Sequence, residues 1–264
     1  MLKRYRALRG QQWSARLAAA LPPAEMSLVS WMEQQAQLIK QDPFSRVSLI
    51  EIDGRGCFLK LYLPKSALQK AGFQLHIARG LRAFDAGRAL HQAGLAVPQT
   101  RACLLVPEGV LLMTEALAGS RDLREIACAE FDGQPAVNYL SMAAEALSDL
   151  HREGYKHGDC KWSNLLLSRG RIYFVDLERV KKMRSKLDAH KLLHRKQLVD
   201  VARFTADAER LGIESDDFAT FVTRYCRGID CDPKSLLQAV RPHLESTRQR
   251  HLQRYGAQGT KALL

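Results

Sequence analysis

The distribution of strand-like and helix-like patterns along the 264 residues is the feature that most limits the fold. Two strand-like runs lie between Val47 and Leu63 and flank Asp53-Gly54, a dipeptide typical of two-residue hairpin turns. Residues 66–93 show the periodicity of a helix that ends before Gly94, and the apolar run 109–117 predicts a buried strand. The first part of the chain therefore predicts a small antiparallel sheet with one helix.

Helical patterns dominate the remainder of the chain. Between Ala136 and Arg152 one helical face collects apolar residues, namely Leu140, Ala143, Ala144, Leu147 and Leu150. A hairpin that turns at Arg169-Gly170 follows, and then further helices are predicted over 186–211, 215–227 and 234–254. The pattern predicts an α+β fold with two lobes, a small antiparallel-sheet lobe over 1–117 and a mainly helical lobe over 118–264.

Residues 1–21 place apolar residues at loosely helical spacing between basic ones, and Pro22-Pro23 ends this pattern. The segment predicts a basic amphipathic helix at the start of the first lobe. Such a helix can lie on an anionic bilayer, or it can pack on the body of the protein. Both interpretations stay open from the sequence alone.

The charge of the chain indicates what it binds rather than how it folds. Forty Lys and Arg residues against 28 Asp and Glu give a formal net charge of +12. Such a surface attracts anions, which include nucleic acid, an anionic membrane face and phosphorylated substrates. No apolar run approaches the roughly 20 residues of a transmembrane helix. The six cysteines lack metal-ligand spacing, which favours reduced thiols and a cytoplasmic location.

The segment "HGDCKWSNLLL", residues 157–167, carries polar groups that a buried strand does not need. Asp159 and Asn164 bracket a short loop, and Asp176 ends the second strand of the following hairpin. Because a hairpin reverses the chain, Asp176 should return to the neighbourhood of Asn164. Two such oxygen ligands suit Mg²⁺. Asp159 can then orient or deprotonate a hydroxyl while Lys161 neutralises a phosphoryl group, so the set predicts phosphoryl transfer.

"HGDCKWSN" followed by "VDLE" resembles the catalytic and metal-binding loops of the protein-kinase-like superfamily. "CFLKLY" resembles the third strand of that fold with its ATP-binding Lys60. "VLLMTEALAG" resembles the last strand of the first lobe and the hinge, where Glu115 and Leu117 would meet adenine through their backbones. The resemblance runs from about residue 45 to residue 180, and it implies ATP as the donor together with Mg²⁺.

Within that superfamily the chain resembles the bacterial lipopolysaccharide core kinases, which phosphorylate heptose or Kdo. The small size, "AGLAVPQ" after the first helix, and "VDLERV" ahead of a basic tail carry this likeness. It implies an anionic glycolipid acceptor, a cytoplasmic location with association at the cytoplasmic face of the inner membrane, and no nucleic acid. The basic tract 181–196 is either an acceptor surface or a solvated helical face.

Three departures from the superfamily pattern affect the predicted site. No Gly-x-Gly-x-x-Gly precedes Lys60, since Gly54 and Gly56 fall in the hairpin before it. The helix Glu that usually pairs with the strand Lys is missing, and Asp85 is assigned to that role. Asp176-Leu177-Glu178 replaces Asp-Phe-Gly, which keeps the metal ligand but removes the flexible glycine.

Three further functions are compatible with parts of the sequence. A small-molecule kinase of the aminoglycoside or choline type would share the loops, but its cationic acceptors do not suit a basic protein. A catalytically degenerate kinase-like scaffold would explain the missing glycine loop and helix Glu. A basic nucleic-acid-binding protein would explain the charge but not the Asp–Asn–Asp set, and the sequence carries no recognition motif for nucleic acid.

Overall fold

A computed structural model describes residues 4–23, 25–34, 36–66, 78–183, 193–255 and 262–263. The chain divides into two compact units. The sheet unit comprises Met1–Gln92 and Val97–Ala118, and the helical unit comprises Ala93–Ala96 and Gly119–Leu264. A six-stranded sheet lies in the first unit, and helices dominate the second, so the predicted α+β class is confirmed.

The sheet unit is built on antiparallel strands in the order β1-β5-β6-β4-β3-β2. Their bounds are β1 Arg6–Arg9, β2 Gln37–Asp42, β3 Ser45–Ile52, β4 Arg55–Tyr62, β5 Thr100–Val106 and β6 Gly109–Glu115. The β3–β4 turn confirms the predicted hairpin, because Asp53 and Gly54 both have positive φ, at 51° and 69°. This is the conformation that a two-residue type I′ turn requires.

The first residues differ from the predicted single helix. Arg6–Arg9 form β1, which pairs with β5, and only Gln11–Ala20 form a helix, α1. Gly10 makes this change of direction with φ of 68°, and a Cβ there would lie 2.0 Å from the carbonyl oxygen of Arg101. Glycine is therefore required where the strand ends against β5. Local periodicity could not reveal a pairing partner more than 90 residues away.

Helices cover both faces of the six-stranded sheet. α1 and α2 (Leu28–Gln34) lie over one face, where Leu17, Met32 and Leu59 share an apolar cluster. α3 (Arg79–Gln92) covers the other face, where Phe84 and Tyr62 belong to a second cluster. The predicted helix over 66–93 is thus confirmed from residue 79 onward, and residues 67–77 lie outside the described part. The apolar side of α1 is buried against the sheet, so it does not offer Leu17 to a membrane.

The helical unit contains α4 Leu123–Cys128, α5 Ala136–Arg152, α6 Arg195–Arg210, α7 Ser215–Ile229 and α8 Pro233–Tyr255. The bounds of α5 and its buried face agree with the prediction. α6 starts later than the predicted 186, because His194 caps it: its Nδ1 accepts the N–H of Lys196 at 3.2 Å. The Gln197 side chain accepts the N–H of His194 at 3.0 Å in return. Residues 184–192 lie outside the described part.

Two small antiparallel sheets complete the helical unit. The first has the order β10-β9-β7, and the second pairs β11 with β8. Their bounds are β7 Arg121–Asp122, β8 Tyr155–Lys156, β9 Leu165–Ser168, β10 Arg171–Phe174 and β11 Lys181–Lys182. The predicted hairpin turn at Arg169-Gly170 joins β9 and β10 and is confirmed by their register. Within the described residues, no helix is long and apolar enough to cross a membrane.

Candidate active site

The β9–β10 hairpin brings the two ends of the predicted site together within the helical unit. Leu165 is opposite Phe174, and the next N–H along, that of Val175, donates to the carbonyl oxygen of Asn164 at 3.0 Å. Asp176 follows at once with φ of 59° and ψ of 51°. Asp tolerates this left-handed conformation better than most residues do. Asn164 and Asp176 therefore flank the open end of the hairpin, as its chain reversal predicts.

The Asp159 carboxylate is surrounded by donors. Asn164 Nδ2 donates to the Asp159 carbonyl oxygen at 2.8 Å and lies 3.4 Å from Asp159 Oδ2. Lys161 Nζ is 3.9 Å from Oδ2, and Arg203 Nη1 is 3.2 Å from Oδ1. The Asp159 side chain still keeps 31% of its surface exposed. Three of the four predicted residues of this unit thus form one cluster whose carboxylate a hydroxyl can reach.

His157 orients the loop rather than facing solvent. Its ring is fully buried, with Nε2 3.0 Å from the carbonyl oxygen of Val175, to which it donates. Nδ1 accepts the backbone N–H of Asp159 at 3.3 Å. Burial lowers the pKa of His157, so the ring is neutral at pH 7 with its proton on Nε2. His157 therefore links the backbone of Val175, which precedes Asp176, to the backbone of Asp159.

Asp200, on α6, is a buried carboxylate that the sequence did not single out. Its Oδ2 accepts the N–H of His157 at 2.6 Å, and its Oδ1 accepts the N–H of Gly158 at 2.8 Å. His151 Nε2 lies 3.5 Å from Oδ2, at the outer limit of a hydrogen bond. Burial by itself raises the pKa of Asp200, but these donors outweigh it and hold the pKa below its ordinary value. Asp200 is therefore an anion that fixes the loop backbone.

One face of α6 supports the whole loop. Asp207 Oδ2 accepts the N–H of Trp162 at 3.0 Å, and the Phe204 carbonyl accepts the indole N–H of Trp162 at 3.1 Å. The Trp162 and Phe204 rings stack with centroids 5.1 Å apart. Together with Asp200 these residues repeat at the spacing of successive helical turns. A charged residue inside an otherwise buried helical face was the sequence signal that could have identified Asp200.

Two further loop residues, Gly158 and Cys160, have structural rather than chemical roles. Gly158 has φ of 84°, and a Cβ there would meet Lys156 Nζ at 2.6 Å and the Arg179 carbonyl oxygen at 2.7 Å. Only glycine fits this position. Cys160 is fully buried, and burial raises the pKa of its thiol well above the ordinary value. The thiol is therefore protonated and not a nucleophile.

The remaining predicted residues lie in the sheet unit. Lys60 lies on β4 opposite Leu112, its Nζ 5.0 Å from the centroid of the Tyr62 ring. It alternates with Leu59, which places it on the sheet face covered by α3. Asp85 lies on α3, where its carboxylate binds Arg9 at 3.0 Å. Pairing of Asp85 with Lys60 remains a prediction.

The two predicted hinge residues lie at the end of β6 and just beyond it, since Glu115 is the last residue of that strand. The N–H of Glu115 donates to the carbonyl oxygen of Gln99 at 2.9 Å, and its side chain accepts the N–H of Gln99 at 3.0 Å. Leu117 lies two residues beyond, half-buried. Their contacts with adenine remain predictions. The turn between β2 and β3, at Pro43-Phe44, contains no glycine, and Pro43 restricts its backbone.

The donor set fits a divalent cation of the Mg²⁺ type. Asn164 Nδ2 is engaged by Asp159, which leaves the amide oxygen Oδ1 as the atom that can ligate a metal. Asp176 is the second predicted ligand, and its neighbour Val175 donates its N–H to the carbonyl oxygen of Asn164. No group of three or more His, Cys, Asp or Glu in the described ranges could hold a metal by itself. Two oxygen ligands completed by phosphates and water are what Mg²⁺ commonly takes in nucleotide sites.

An antiparallel-sheet unit followed by a helical unit with this loop and hairpin defines a protein-kinase-like fold. Among solved structures, "WaaP in complex with acyl carrier protein" is similar, with a TM-score of 0.55 and 20% identity over 88% of this chain and 94% of that one. The family model "Lipopolysaccharide kinase (Kdo/WaaP) family" matches residues 30–225. The chain belongs to this family and is a phosphotransferase. No curated protein matches it significantly in sequence.

Proposed function

We propose that the chain is an ATP-dependent kinase that transfers the γ-phosphoryl group to a heptose or Kdo hydroxyl of lipopolysaccharide core. The observation that carries this proposal is the partly exposed Asp159 carboxylate, set among Lys161, Asn164 and Arg203. The hairpin that carries Asp176 lies next to it. Family membership supports phosphoryl transfer and lipopolysaccharide as the acceptor class.

The reaction follows from the positions of these groups. Asp159 accepts the proton of the acceptor hydroxyl while the oxygen of that hydroxyl forms a bond to the γ-phosphorus of ATP. The bond from that phosphorus to the bridging oxygen breaks, and ADP leaves. The Lys161 side chain is 42% exposed, so its ammonium group can stabilise the negative charge that develops on the phosphoryl oxygens. Asn164 and Asp176 would hold Mg²⁺, which supplies neutralising charge to the phosphates, and Lys60 would bind the donor phosphates.

Cations beside the loop favour an anionic acceptor. Lys181 and Lys182 are exposed on β11, whose partner strand β8 contains Lys156. Burial lowers the pKa of Lys156; the charge of Asp200 acts against this, but the nearby charges of Lys196, Lys181 and Arg203 lower the pKa further. A carboxylate or phosphate of the acceptor would relieve this repulsion. A kinase of the aminoglycoside type, which takes cationic acceptors, is disfavoured for the same reason.

A catalytically degenerate scaffold is less well supported than an active kinase. A scaffold does not require a base and two metal ligands, and all three of Asp159, Asn164 and Asp176 are present. The hairpin also brings the backbones of the two predicted metal ligands together. The chain therefore has the base and the two metal ligands that we propose for phosphoryl transfer.

Association with the cytoplasmic face of the inner membrane is part of the proposal. Because α1 buries its apolar side against the sheet, such attraction would depend on charge rather than on an inserted helix. The formal net charge of +12 supports attraction of this kind to anionic lipid.

The phosphate content of the lipopolysaccharide core tests the proposal directly. We expect cells without the gene to produce core that lacks one phosphate, as measured by mass spectrometry of the isolated core. A gene copy with Asp159→Asn should not restore the phosphate. A copy with Asp149→Asn should restore it, because Asp149 is an exposed residue of α5. Unchanged phosphate content in the deletion strain would refute lipopolysaccharide as the acceptor.

Neutralising Lys181→Gln and Lys182→Gln together should raise the acceptor KM roughly fivefold to twentyfold, since each exposed charge contact contributes up to about 1 kcal/mol. The KM for ATP should not change. Added salt should weaken the wild type more than the variant, because exposed charges are screened. The control is Arg171→Gln with Lys234→Gln, which removes the same charge from two other exposed positions. Equal acceptor KM values in the two double variants would contradict an acceptor surface on β11.

A further inference from the structure

Arg203 lies on α6 one turn beyond Asp200, outside every motif in the sequence. Its Nη1 is 3.2 Å from Asp159 Oδ1 and also donates to the carbonyl oxygen of Gly158. The Arg203 side chain is only 20% exposed, so water competes little for these contacts. Both backbone groups of Gly158 are thereby hydrogen-bonded to α6, since its N–H donates to Asp200 at 2.8 Å.

The two oxygens of the Asp159 carboxylate have different partners. Oδ1 has the guanidinium at 3.2 Å, whereas Oδ2 has Asn164 Nδ2 at 3.4 Å and Lys161 Nζ at 3.9 Å. Hydrogen bonds between a guanidinium and a carboxylate are roughly twice as strong as neutral ones. Oδ1 is therefore the fixed oxygen, and Oδ2 is the one with weaker contacts that a hydroxyl can replace.

We propose that Arg203 is a positioning residue that fixes Asp159 through Oδ1 and turns Oδ2 toward the acceptor hydroxyl. This inference rests on the proposed role of Asp159 as the base. Arginine suits the position because one planar guanidinium can bond a carbonyl and a carboxylate at once, which an ammonium does less well. Lys161, more exposed and farther from the carboxylate, remains available for the phosphoryl group.

Kinetics of three variants separate this role from simple folding support. Arg203→Met removes the guanidinium, Arg203→Lys keeps the charge, and Arg227→Met is the control at an exposed position of α7, outside the basic tract. With chemically dephosphorylated lipopolysaccharide core as acceptor, kcat should fall about 100-fold for Arg203→Met and about tenfold for Arg203→Lys, because a misplaced catalytic group has effects of this size. The KM for ATP and the affinity for a fluorescent nucleotide should not change. Arg227→Met should behave as the wild type.

The same substitution in an Asp159→Asn background tests whether Arg203 acts through Asp159. The residual turnover of Asp159→Asn, measured with radiolabelled ATP, should not fall further when Arg203→Met is added. An equal loss in both backgrounds would show that Arg203 acts independently of Asp159. A kcat of Arg203→Met near that of the wild type would overturn the proposal outright.

Failure of the proposed function can be recognised separately. If the wild type transfers no phosphate to this acceptor, the acceptor assignment is wrong, and crystal structures of the wild type and Arg203→Met decide the role of Arg203. We expect the Asp159 carboxylate to rotate away from its wild-type position, or to lose a single orientation, in the variant. A carboxylate that keeps its wild-type orientation in Arg203→Met would overturn the proposal.

Discussion

Turnover is expected to fall roughly 10²–10⁴-fold when Asp159 is replaced by Asn, the range that general-base catalysis contributes. The amide keeps the size of the carboxylate but cannot accept the hydroxyl proton. Nucleotide affinity should remain as in the wild type, since Asp159 contacts Arg203, Lys161 and Asn164 rather than the predicted nucleotide-binding residues of the sheet unit. Single-turnover phosphoryl transfer and nucleotide titration measure the two quantities separately.

Asp149→Asn is the matched control for this substitution. Asp149 is 49% exposed on α5 and bonded to Arg152 at 2.6 Å, so its loss removes a surface ion pair of the same helical unit. Such a pair contributes little to stability. Wild-type kcat in Asp159→Asn, with a verified acceptor, would show that another group accepts the proton. Equal losses in the two variants would indicate a general effect of charge.

Asp176→Ala is expected to weaken Mg²⁺-dependent nucleotide binding at least roughly 100-fold. Loss of a residue that only hydrogen-bonds to a metal ligand lowers metal affinity about 10–100-fold, and loss of a direct ligand should cost more. Binding without Mg²⁺ should change little, since the metal contact is then missing in both proteins. Calorimetric titration with ATP, with and without Mg²⁺, gives both affinities. The carboxylate of Asp176, which follows Val175 at the open end of the hairpin, is the hard oxygen donor that we propose as the ligand.

Backbone strain must be separated from ligand loss in this experiment, because Asp176 has φ of 59°. Asp230, at the end of α7, has φ of 54°, so Asp230→Ala imposes the same conformational cost without touching the hairpin. Asp176→Asn, which tolerates the left-handed conformation, should show an intermediate loss of affinity. Equal Mg²⁺-dependent affinities for the wild type and Asp176→Ala would exclude Asp176 as a ligand.

Local features of the fold could be predicted because short-range interactions determine them. The hairpins at Asp53-Gly54 and Arg169-Gly170 follow from the positive φ angles that their turns need. α5 follows from the apolar face of its own residues. The approach of Asp176 to Asn164 also follows locally, since a hairpin whose turn is known must bring its two ends together.

Long-range contacts decided the features that the sequence did not show. The periodicity of residues 6–9 is compatible with a helix, but these residues form β1 because their backbone pairs with the edge of β5. Asp200 lies 43 residues beyond His157 and Arg203 lies 44 residues beyond Asp159, and their types alone do not indicate a role. The sequence by itself determined which residues of the helical unit we propose for the chemistry, because their spacing is local. Only the tertiary structure decided which groups hold Asp159 in place, because packing of α6 beneath the loop brings them there.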